Sequence, residues 1–107
     1  MMRFDHTYWG IYLTRLDKVE ETCRRIGKDY GLEDEQFQSI EDEAKVLANE
    51  RMKTWKDPIK HLTAIIAFSK VDALINAICE GHDLDPDDFD YEPNGLGLQI
   101  TYKGEEI

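Results

Sequence analysis

Over residues 57–80 the chain reads DPIKHLTAIIAFSKVDALINAICE, and its apolar positions point in most radial directions of a helix. Ile59, Leu62, Ile65, Ile66, Phe68, Val71, Leu74, Ile75 and Ile78 are interleaved with Ala64, Ala67, Ala73 and Ala77, the pattern of a helix surrounded by others. Asp57 is expected to cap it, Pro58 to take the first helical position and Gly81 to stop it. Two amphipathic segments precede it. Trp9, Tyr12, Leu16, Val19, Cys23, Ile26 and Tyr30 share one stripe, which predicts a helix over about 8–29 ending at Gly31. A rival reading makes residues 3–13 an aromatic, β-prone strand and lets Thr14 cap a shorter helix; the helix is preferred. Acids at 33–35 suit the positive end of a second helix over about 34–56, whose inward stripe is Phe37, Ile40, Ala44, Leu47, Ala48, Met52 and Trp55.

After Gly81 the helical period stops. The segment HDLDPDDFDYEPNG carries Pro86, Pro93 and Asn94-Gly95 and is expected to be an acidic loop over 81–95, with room for one helical turn capped by Asp85. Residues 96–102 then alternate, Leu96, Leu98, Ile100 and Tyr102 against Gly97, Gln99 and Thr101, which predicts a short strand. Its partner is expected to be the N-terminal segment, the same strand of a second copy, or another protein's sheet edge. The expected fold is a mainly α single domain over 1–107. It is a three-helix bundle built around the apolar helix as its buried centre, with the acidic loop and the C-terminal strand, and the class becomes α+β if the N-terminal segment pairs with that strand.

A length of 107 residues suffices for one core, and a mean hydropathy of −0.58 with 34% charged residues favours a water-soluble chain. The longest unbroken apolar run, 64–68, is far short of the roughly 20 residues of a membrane span, and MMRFDH lacks a signal peptide's apolar core, so a cytoplasmic location is expected. The net charge is −10 and is unevenly placed. Residues 29–50 hold eight acids against Lys45, and residues 80–92 hold seven against no base. Direct nucleic-acid binding would oppose this field, so a basic protein surface is the expected partner.

Candidate chemistry is sparse. Cys23 and Cys79 lie on different predicted helices without a CxxC spacing, so reduced core packing is expected rather than zinc, with a disulfide as the alternative. Ser69, Asp72 and Asn76 share a face of the central helix with His61, a stripe that faces solvent, bonds to neighbouring helices, or holds a small ligand or a divalent ion. The magnesium-binding Glu-x-x-Asp of all-α MazG-type nucleotide pyrophosphohydrolases is absent, because Ser69 stands three before Asp72 and Glu41 and Glu43 lack that family's spacing. Asp83, Asp85 and Asp87 alternate like the first ligands of an EF-hand loop, but Asp88 and Asn94 occupy the positions that need Gly and Glu. No nucleophile elbow, phosphate loop, dinucleotide fingerprint or paired-histidine zinc motif is present.

The expected function is therefore a non-enzymatic interaction protein, with no catalytic, metal or cofactor residue. Glu41, Asp42, Glu43, Asp85, Asp87, Asp88 and Asp90 are its candidate contacts to a basic surface, in the manner of phage or mobile-element inhibitors that mimic nucleic acid against host defence complexes. The alternatives are a homo-oligomeric helical module, for instance a homodimer, and a nucleotide or metal binder at His61, Asp72 and Asn76.

Overall fold

The computed structural model describes residues 15–94 and 97–107, so expectations for residues 3–13, including Trp9 and Tyr12, lie outside the described residues. Three helices, α1 (Leu16–Asp29), α2 (Asp34–Thr54) and α3 (Leu62–His82), run up, down and up. Side-chain pairs fix these directions. Glu20 of α1 and Glu41 of α2 both reach Lys70 of α3, Tyr30 after α1 meets His82 at the end of α3, and Trp55 after α2 packs on His61 just before α3. A three-stranded antiparallel sheet follows, β1 (Phe89–Asn94), β2 (Gly97–Tyr102) and β3 (Glu105–Glu106), in the order β1-β2-β3. The mainly α three-helix arrangement expected from periodicity is the one found.

Helix α3 is the axis of the core. Eleven of its residues are buried, among them Ile65, Phe68, Val71, Leu74, Ile75 and Ile78. Val19, Cys23 and Ile26 of α1 cover it on one side and Phe37, Ile40 and Ala44 of α2 on another, while Phe89, Tyr91, Leu98 and Ile100 of the sheet join the same cluster. By length and composition α3 meets the requirements of a membrane span despite its broken apolar runs, but 67% of its apolar window is buried inside the protein. That packing is what a core helix shows.

Several boundaries differ from those read in the sequence. Asp57 does not cap α3: it has φ 52°, and residues 57–62 close successive i to i+3 turns before Ile65 N–H makes the first α-helical bond to His61 C=O. The reversal between antiparallel α2 and α3 takes up these residues, leaving Ile59 75% and Leu62 40% exposed where the periodicity placed core. At the other end α3 runs past Gly81, and Asp83 adopts the left-handed conformation at φ 55°, ψ 47°. Leu84 N–H then bonds back to Cys79 C=O, the closing bond of a Schellman-type stop. Helix α2 starts with a capping box in which Glu33 and Gln36 satisfy each other's backbone N–H groups.

The expected acidic loop is in large part a strand. Phe89 and Tyr91 point into the core and alternate with Asp90 and Glu92, and β1 supplies the partner for β2 through the register Phe89↔Tyr102 to Asn94↔Gly97. Neither a second copy nor another protein is needed to pair it. Lys103 N–H bonds Asp88 C=O, which phases the ladder so that Pro93, opposite Leu98, has its missing N–H on the outer side. Pro93 thus blunts the β1 edge, an outer edge of the sheet among the described residues, at no cost to the hairpin.

Candidate functional site

The up-down-up course decides where charge accumulates. The end of α1, the start of α2 and the end of α3 lie together, as the 2.8 Å contact between His82 Nε2 and the Tyr30 carbonyl shows. The turn Pro86–Asp88 follows within a few residues of α3, so the acids of residues 29–35, the first part of one acidic block, meet those of residues 80–88 at this end of the molecule. It carries Asp29, Glu33, Asp34, Glu35, Glu80, Asp83, Asp85 and Asp87 as exposed acids and Asp88 as a half-buried one, beside Lys28, Lys103, Arg24 over the Phe37 ring, and Arg25, which pairs with Asp29 at 3.6 Å. The negative dipole ends of α1 and α3 lie here with the positive end of α2. Burial, and then the carboxylates of Asp85 and Asp88, raise the pKa of the Cys79 thiol above its ordinary value, so the acidic field reaches into the core from this end.

Local chemistry explains why the loop acids hold their places. Asp85 is in extended conformation, Pro86 occupies the first position of the 3₁₀ turn, and Asp85 Oδ1 accepts from Asp87 N–H at 2.9 Å. This is the capped turn expected there. Asp90 lies in β1, half-buried, with its carbonyl taking a 3.5 Å bond from Thr101 Oγ1.

The acids of α2 separate into different roles. Glu41 turns inward to Lys70 at 3.0 Å, and Lys70 also donates to Glu20 at 3.1 Å, so one lysine ties three helices. Burial by itself lowers the pKa of Lys70, but hydrogen bonds to Glu41 and Glu20 outweigh it and the net direction is up. Beside this triad a cavity of about 20 Å³, room for roughly one water, is lined by Cys23, Phe37, Ile40 and Leu74. Asp42 is exposed and accepts from Gln38 Nε2 at 3.4 Å, while Glu43 accepts from Asn76 Nδ2 at 3.2 Å.

The stripe on α3 is engaged in helix packing. Arg51 of α2 pairs with Asp72 Oδ2 and donates from Nη1 to Ser69 Oγ at 3.0 Å, and Ser69 in turn donates to the Ile65 carbonyl at 2.7 Å. Asn76 is held by Glu43. His61 is buried before the start of α3, edge-on to Trp55 with ring centroids 6.0 Å apart. Among the described residues no three His, Cys, Asp or Glu side chains converge as a metal ion would require. Cys23 and Cys79 are both free, buried thiols. Sequence reasoning missed Arg51, Lys70 and Glu20. Their one signal was charge on otherwise apolar faces, which does not reveal a partner 18 to 50 positions away.

The opposite end of the molecule is partly apolar, and its reversal has more lysines than acids, Asp57 being the one acid among them. Lys53, Lys56 and Lys60 are exposed around Ile59 and Leu62, and Lys18 of α1 lies near Gly97 of β2. The protein is therefore polarised along an axis, with overall extents of 36 × 27 × 24 Å. No protein-family model matches the chain, and no curated protein or solved structure is significantly similar to it.

Proposed function

We propose that this protein acts by binding, presenting its acidic end to a basic surface of a partner protein. The observation that carries the reading is the convergence of two acidic segments, some fifty residues apart in sequence, on one end of the bundle. Screening confines a surface charge to about 10 Å at 0.1 M salt, so an approaching partner senses this end and not the molecular average. Nine carboxylates on helix ends and the connections between them offer a basic groove a set of anionic oxygens much as phosphates do, and they would release the same counterions. In its sharper form the reading makes the protein a mimic of nucleic acid, of the kind phage and mobile-element inhibitors deploy against nucleic-acid-binding complexes. Among the expected contacts, Asp85, Asp87 and Asp88 belong to the acidic end, Asp42 and Glu43 extend it along α2, and Glu41 serves the core triad.

The test is affinity capture with the intact chain beside two variants, Asp34→Asn with Glu35→Gln, and Asp83→Asn with Asp87→Asn. All four positions are exposed, and Asn tolerates the left-handed backbone at Asp83. The reading expects a basic protein that is retained by the wild type, weakened by each variant and released as salt rises. For the sharper form, added DNA or RNA duplex must compete. Capture that ignores both variants and salt would leave the acidity as a solubility device and refute the proposal.

A further inference from the structure

The polarised surface also contains a knob and a socket that fit one another. The knob is Ile59, 75% exposed on the reversal between α2 and α3, with exposed Lys56 and Lys60 on either side and Leu62 beside it. An isoleucine three-quarters exposed between two lysines, with Asp57 as the one acid of the turn, suits a site that offers apolar contact beside carboxylates. The same molecule has such a site. Between the first half of α2 and the last turns of α3 lies an open depression of about 330 Å³, lined by Ile40, Ala77 and Gly81 together with the polar Gln36 and Ser39 and the carboxylates of Glu43 and Glu80.

We infer that a second copy of this chain occupies that depression, Ile59 of one molecule entering between α2 and α3 of the next while Lys56 and Lys60 meet Glu43 and Glu80. Knob and socket lie toward opposite ends of the bundle, so the contact is head-to-tail and does not close on itself as a two-fold dimer would. Its small area makes it weak, and it forms only at high protein concentration. The net charge of −10 repels copies at a distance, so near-physiological salt favours the contact by screening that repulsion over about 8 Å. The inference goes beyond the basic-partner reading: it uses Glu43 and Glu80, not the four acids neutralised in that test, so either can fail alone.

Sedimentation velocity of the full chain, up to about 1 mM in roughly 0.15 M salt, tests it. The wild type is expected to sediment faster as concentration rises. A knob variant, Ile59→Asp, and a socket variant, Glu43→Lys with Glu80→Lys, should each weaken self-association by about tenfold to a hundredfold, the value of burying one large aliphatic side chain. All three positions are exposed, so the variants are expected to fold, and their circular dichroism checks this. The decisive arm mixes them: the intact socket of one and the intact knob of the other leave a single productive contact, so the mixture must stop at a one-to-one dimer. A wild type that stays monomeric throughout overturns the inference. So does a socket variant that associates as well as the wild type, because that result means knob-to-knob contact. Binding of the wild type to phosphatidylserine vesicles through Ile59, without self-association, also overturns it and assigns the knob to a membrane surface.

Discussion

Replacing Arg51 by Met tests whether the α2–α3 ion pair holds the bundle together. In the folded chain Arg51 bonds Asp72 Oδ2 and Ser69 Oγ, and Asp72 is 13% exposed with Oδ1 buried and unbonded among the described residues. Removing the guanidinium leaves a carboxylate without its cation in an apolar wall. Breaking a fully buried pair costs about 3–5 kcal/mol, but Arg51 is 26% exposed, and solvent access lowers the expected cost to about 2–3 kcal/mol. For a chain of this length that is roughly 8–12 °C in Tm. Asp72→Leu should be milder, about 1 kcal/mol, because the long arginine can turn its head to water. The double variant Arg51→Met with Asp72→Leu replaces the pair by apolar contact and is expected to lie within about 1 kcal/mol of wild type, a coupling of about 2 kcal/mol. Urea unfolding followed by circular dichroism measures all four proteins. If Arg51→Met costs less than about 0.5 kcal/mol, or if the two single costs add, the pair is solvated and the reasoning fails.

Other positions give equally direct tests. Gly27→Ala gains up to about 1 kcal/mol of helix propensity but places a methyl 2.6 Å from the Phe37 ring and 3.2 Å from Leu32, so α1 and α2 must part and thermal unfolding should show a net loss of about 1–2 kcal/mol. Asp83→Gly relieves a left-handed residue and removes a carboxylate from a negative helix end, and should raise stability by about 1 kcal/mol in the same assay. Cys23 is pushed from 9.0 up to about 12, first by burial and then by Glu20, so the native state keeps its thiol protonated while the unfolded state ionises above pH 9. Its contribution is fully present below pH 9 and is lost as pH rises toward 12, so denaturation midpoints should fall over that window in the wild type and less so in Cys23→Ala. At pH 8 a thiol reagent should modify Cys23 at the rate of unfolding and no faster.

The periodicity of α1 and α2 and the all-round apolarity of α3 were legible because each is a local property of spacing. The Asp85-Pro86 turn was legible for the same reason, since its cap and its proline act within three residues. β1 carried a readable signal too, Phe89 and Tyr91 alternating with Asp90 and Glu92, but four residues flanked by acids and prolines read as loop until a partner strand is in place. Asp57 was misread because a cap signal states a preference of about 1 kcal/mol, which the reversal between packed antiparallel helices overrides, and Gly81 because the left-handed stop falls two residues later, at Asp83. The sequence alone determined the helical class, the central helix and the excess of acid. Only the tertiary structure decided that the acids of residues 29–35 and 80–88 stand at one end, that Lys70 and Arg51 are spent between helices, and that Ile59 faces outward. Those outcomes depend on which elements neighbour one another, and no local pattern encodes the direction in which the chain returns.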